Sequence, residues 1–147
     1  MSNTRFLGLV LVVSLVSVAA LAAGAPQLMI TSPQEGQTVQ PIAGLGPVAI
    51  VQFSTQDFKV DSLAKHSGTD HKMGKMMNAG HIHVTVDDNS WYWVHSNSDP
   101  VVIAGLKPGP HKVTLELVGS DHMSMNPPVK QTVSFTMAGG EAMSGGK

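Results

Sequence analysis

His81-Ile82-His83-Val84-Thr85-Val86-Asp87 alternates between two sets of side chains without a break. Successive residues of an extended chain point to opposite faces, so Ile82, Val84 and Val86 share one face while His81, His83 and Thr85 share the other. A helix would scatter both sets around its circumference, and the segment is therefore a strand. The next residues, Asp87-Asp88-Asn89-Ser90, are turn formers, and Trp91-Tyr92-Trp93-Val94-His95 then supplies the return strand of a hairpin. With the turn at 87–90, His95 falls opposite Ile82 and on the other face from His83.

The same alternation recurs along the chain. Residues 31–39 read as a strand, a turn and a second strand. Val48 to Ser54 is a strand with Ala49, Val51 and Phe53 inward, and Val101 to Leu106 is another. His111 to Val118 sets Val113, Leu115 and Leu117 against Thr114 and Glu116. Thr132 to Met137 places Val133, Phe135 and Met137 inward. The stretches 61–80 and 120–128 read as loops. About seven short strands broken by turn residues predict an all-β sandwich with Greek-key connections and one wet face on each sheet.

The 147-residue chain opens with Arg5, an apolar run from Phe6 to Val18, and small residues from Ala19 to Ala25. Ala20-Leu21-Ala22 fits the small-x-small pattern of a cleavage site. The expectation is a signal peptide over 1–24, a sandwich over 25–137 and a disordered tail over 138–147. The product is periplasmic or secreted, with no membrane association after cleavage; a retained span over Phe6 to Ala23 is the alternative. The formal net charge is −1 and Arg5 is the single arginine, which argues against nucleic-acid binding. Cysteine is absent, so disulfides and thiolate chemistry are excluded.

Two stretches carry family likenesses. Ile30-Thr31-Ser32-Pro33, followed by Glu35-Gly36 and Thr38-Val39, resembles the first strand of many bacterial immunoglobulin-like domains. Leu106-Lys107-Pro108-Gly109-Pro110-His111 resembles the corner of fibronectin type III modules, where a tyrosine usually anchors the turn; His111 stands near that place. Gly80-His81-Ile82-His83, the Leu106–His111 corner and Asp121-His122 together resemble small exported bacterial proteins of unassigned function. The resemblance spans roughly Gly80 to Met137 and implies an immunoglobulin/fibronectin III-like sandwich, with no activity attached.

Seven histidines and nine methionines dominate the chemistry on offer. In the immunoglobulin-like order, the connections 61–80 and 120–128 meet at one end of the sandwich. They would gather His66, His71, Met73, Met76, Met77, His122, Met123 and Met125 around the start of the His81–His83 strand. Imidazole suits copper, zinc and nickel, and thioether selects Cu(I). The expected function is metal binding, copper first and zinc as an alternative, through His81, His83, His122, Met123, Met125, His71, Met73, Met76 and Met77. Asp70 and Asp121 could each add a carboxylate.

Against this stands a plainer reading, a non-catalytic interaction module that meets an envelope protein and binds no metal. His95 and His111 are expected to be structural, and Trp91 with its neighbours offers a weak partner-binding patch. No nucleophile or metalloprotease template is present, so an enzyme is not expected. His81 and His83 bear a loose similarity to the ligands of copper–zinc superoxide dismutase, but the disulfide of that enzyme is absent and no bridging histidine is identifiable.

Overall fold

The computed structural model describes residues 24–61 and 78–139. Every regular element among them is a strand: β1 (Gln27–Ser32), β2 (Gln37–Val39), β3 (Val48–Gln56), β4 (Lys59–Val60), β5 (Ala79–Val86), β6 (Trp93–His95), β7 (Val101–Ala104), β8 (Gly109–Gly119) and β9 (Ser124–Met137). They form two sheets. One has the order β1-β3-β7; the other runs β2-β9-β8-β5-β4, with β6 sharing the β4 edge of β5. The architecture is a β-sandwich.

The core lies between the sheets and follows the alternation residue by residue. Ala49 and Val51 of β3 and Val101 and Ile103 of β7 meet Ile82, Val84, Leu115, Leu117, Val133 and Phe135 of the larger sheet, all buried. Each fully buried aliphatic or aromatic side chain contributes about 1.5–3 kcal/mol, and no disulfide supplements them.

Two short pieces place the functional pole. Lys59 and Val60 pair in parallel with Ala79 and Gly80, so the segment 62–77 leaves and returns beside the start of β5. β9 begins at Ser124, which corrects the expectation of a loop running to Pro128. The register jumps from Leu117↔Val129 to Val118↔Ser124, and residues 125–128 form a bulge inside the strand. Pro127 and Pro128 have no N–H to give to the ladder, so the strand must leave its partner there. The connection between β8 and β9 thus shrinks to residues 120–123.

A second correction concerns the outer face of β5. His81 and His83 are not on a wet face: they are 1% and 7% exposed. Val118, opposite His81 in the ladder, is also fully buried. The large sheet is covered on both sides at this end.

At the other end, His111 serves the corner. Its Nδ1 donates to Asp87 Oδ2 at 2.8 Å and its Nε2 to the Lys107 carbonyl at 2.7 Å. Burial alone would lower its pKa, but the Lys107 carbonyl and the Asp87 carboxylate outweigh that and raise it. Asp87 also accepts from the Lys112 N–H at 2.9 Å, and Asp88 pairs with the Lys112 ammonium. His95 falls opposite Ile82 as the hairpin register requires; it donates to the Asp99 carbonyl at 2.8 Å and stands edge-on to Phe53.

Candidate functional site: a histidine cluster at one pole

The site begins with Gly80. Its position is buried against the paired strand, and a Cβ there would run into the Val118 carbonyl oxygen and the Gly119 backbone. Glycine lets β8 come close enough to carry its turn over the two histidines that follow.

Those histidines are held differently. His81 Nδ1 donates to the Asp61 carbonyl at 3.0 Å; in the neutral ring this leaves the lone pair on Nε2. A backbone carbonyl taking one ring N–H is the arrangement by which proteins orient an imidazole that uses its other nitrogen. Asp61 is itself fixed, its N–H donating to the Gly80 carbonyl at 2.8 Å. His83 lies against the face of Tyr92, with ring centroids 3.7 Å apart and planes 19° from parallel.

His122 arrives from the β8–β9 turn. The His122 N–H donates to the Gly119 carbonyl and the Gly119 N–H to the Met123 carbonyl, each at 2.9 Å. Asp121 Oδ1 accepts from the Met123 N–H at 3.1 Å. This is a three-residue hairpin loop in which the last loop residue must adopt the left-handed conformation, and His122 does so with φ 61°. Glycine would fit there without strain, yet an imidazole is present.

The three rings adjoin. His81 and His122 have centroids 5.0 Å apart. His83 Nε2 and His122 Nδ1 are 3.4 Å apart, with centroids 5.6 Å apart and planes 19° from parallel. That combination puts the two rings edge to edge, nearly coplanar, nitrogen facing nitrogen. Burial lowers the His83 pKa, His122 lowers it further, and Glu116 across the ladder offsets this only in part. The Glu116 carboxylate is already engaged by the Lys130 ammonium at 3.0 Å and the Ser124 hydroxyl at 2.6 Å. A neutral imidazole at His83 is a lone-pair donor.

Of the other expected ligands, Met123 is on the turn and exposed, while Met125 in the bulge is half-buried and packs against the core. His71, Met73, Met76 and Met77, like His66 and Asp70, lie outside the described residues; Asp61 and Asn78, which flank them, stand at this pole. Among the described residues, no group of three or more His, Cys, Asp or Glu side chains has the geometry to hold a metal. With two rings coplanar and hydrogen-bonded edge to edge, one must swivel before both lone pairs aim at a single ion. His122, exposed on its turn, is free to do so.

Tyr92 is the member that the sequence reading missed. The signal was present: His83 pairs with Val94, and Tyr92 has the parity of Val94, hence the face of His83.

Comparison with curated proteins gives no match. The chain belongs to a family of unknown function, DUF6130, whose profile matches residues 13–145.

Proposed function

We propose that this member of the DUF6130 family is an exported metal-binding protein, copper favoured, built on an immunoglobulin-like sandwich with His81, His83 and His122 as the central ligands. One observation carries the reading: the 3.4 Å between His83 Nε2 and His122 Nδ1. Two nitrogens bound to one tetrahedral ion at about 2.0–2.1 Å stand about 3.4 Å from each other. An ion would replace the hydrogen bond between the rings once His122 has turned so that both lone pairs meet at one point. His81 adds a third imidazole whose ring is oriented through Nδ1. Thioether from Met123 or from the 62–77 stretch would favour Cu(I) over zinc.

The export proposal rests on residues 1–24, with their apolar run and small-residue tail. The strand orders β1-β3-β7 and β2-β9-β8-β5 support the immunoglobulin-like arrangement. A second reading, an interaction module without metal, is favoured by the half-buried Met125, which faces core rather than site.

The test is titration of the purified chain with Cu(I), Cu(II) and Zn(II) against competing chelators, repeated with His81→Ala/His83→Ala and with His122→Gly. Saturable binding of one ion, weakened at least a hundredfold by the double change and at least tenfold by the single one, is the expected result. Equal binding in all three chains would overturn the reading. Circular dichroism of each variant establishes that the sandwich persists.

A further inference from the structure

A cleft lies toward the end of β5 away from the histidines. It is an open cleft of about 750 Å³ between the β5–β6 turn and the end of β7, within the roughly 300–1,000 Å³ usual for small-molecule sites. Trp91, Trp93, Val102, Ile103 and Leu106 supply its apolar wall. Trp91 is 58% exposed and Val102 61%. The two indoles stand 5.9 Å apart at 38°, so they form an angled pocket wall rather than a flat platform.

The polar groups decide the ligand class. Both Asp87 oxygens are taken, one by His111 and one by the Lys112 N–H. Both His111 nitrogens are donated inward, and Asn89 Nδ2 donates to the Val86 carbonyl at 2.8 Å. The His111 nitrogens and one acceptor site on each Asp87 oxygen are thus engaged within the turn and corner. Lys107 lines the same cleft, and no carboxylate pairs with its ammonium among the described residues. Lys107 is therefore a cation without a carboxylate partner among the described residues, beside exposed indole.

We propose that this cleft binds a small organic anion with a flat apolar body, its ring system against Trp91 and Trp93 and its carboxylate or sulfonate against Lys107. An aromatic body fits the indole walls through offset or edge contacts. The anionic group fits the one charge that the protein leaves unanswered. The site is independent of the histidine pole.

The chain contains two tryptophans and both line the cleft, so intrinsic fluorescence originates at this site. The experiment titrates the purified chain with 1-anilinonaphthalene-8-sulfonate and follows energy transfer from tryptophan to the probe. Lys107→Gln should weaken binding about threefold or more and flatten its salt dependence, the size expected of one exposed charge contact. Trp91→Ala should weaken it further. Lys107 and Trp91 are exposed, so neither change threatens folding. Binding indifferent to Lys107→Gln overturns the proposal. So does tryptophan quenching by a neutral oligosaccharide with no response to the anilinonaphthalene sulfonate.

Discussion

Gly80 and Val118 are in such close backbone contact that the Val118 carbonyl oxygen occupies the space of any Cβ at residue 80. Because the obstacle is backbone, no rotamer can relieve it. Gly80→Ala should therefore push β5 from β8 and lower stability by about 1–3 kcal/mol, the usual cost of overpacking. Urea denaturation measures this, and metal affinity should fall with it, since the same contact brings the β8–β9 turn over His81 and His83.

His122 makes the opposite trade. A non-glycine residue in the left-handed region costs about 1–2 kcal/mol, and His122 holds φ 61°. His122→Gly should leave stability equal or raise it by up to about 1 kcal/mol while reducing metal affinity. If the thermal midpoint falls sharply instead, the imidazole has a structural role and the site assignment fails at this residue.

Tyr92 is half exposed and stacked on His83. Aromatic pairs of this kind are worth about 0.5–1.5 kcal/mol. Tyr92→Ala should weaken metal binding less than tenfold by loosening the His83 ring, and Tyr92→Phe should restore it. Calorimetric titration of the two variants separates ring packing from any need for the phenol oxygen.

Acid should destabilise the fold through His83. Burial and then His122 depress its folded pKa below the ordinary 6.5, so the unfolded chain takes up the proton first. Its contribution is complete above about pH 6.5 and is lost as pH falls through the folded value. His111 acts in the other direction. Its folded pKa is raised, with the Lys107 carbonyl and Asp87 overcoming burial. Its contribution is complete below about 6.5 and is lost as pH rises through the folded value. Urea midpoints across this range should show a flattened acid limb in His83→Asn and a flattened alkaline limb in His111→Asn.

The strands were legible because Ile82, Val84, Leu115, Val133 and Phe135 obey a period of two, and all of them are buried. Alternation fails at His81 and His83, since a pattern along one strand cannot tell what another element lays over its outer face. Here that cover includes Tyr92 and His122. Pro127 and Pro128 looked like loop because they interrupt a ladder, although a bulge can absorb them. The meeting of residues 83 and 122 was legible only through an assumed strand order. The choice between Met125 as ligand and Met125 as packing was not legible, because thioether serves both purposes.

Lys59 and Val60 close against Ala79 and Gly80 to make a neck. Beyond such a neck, chain length is thermodynamically cheap: doubling an insertion costs only about 0.6 kcal/mol of closure entropy. His81 is anchored to this neck itself, because the Asp61 that receives its ring N–H directly follows Val60 and is bonded to Gly80. The sandwich is in this sense a clasp: the four paired residues hold both ends of a long connection, and the ring of His81 is fastened to the clasp and not to what lies beyond it.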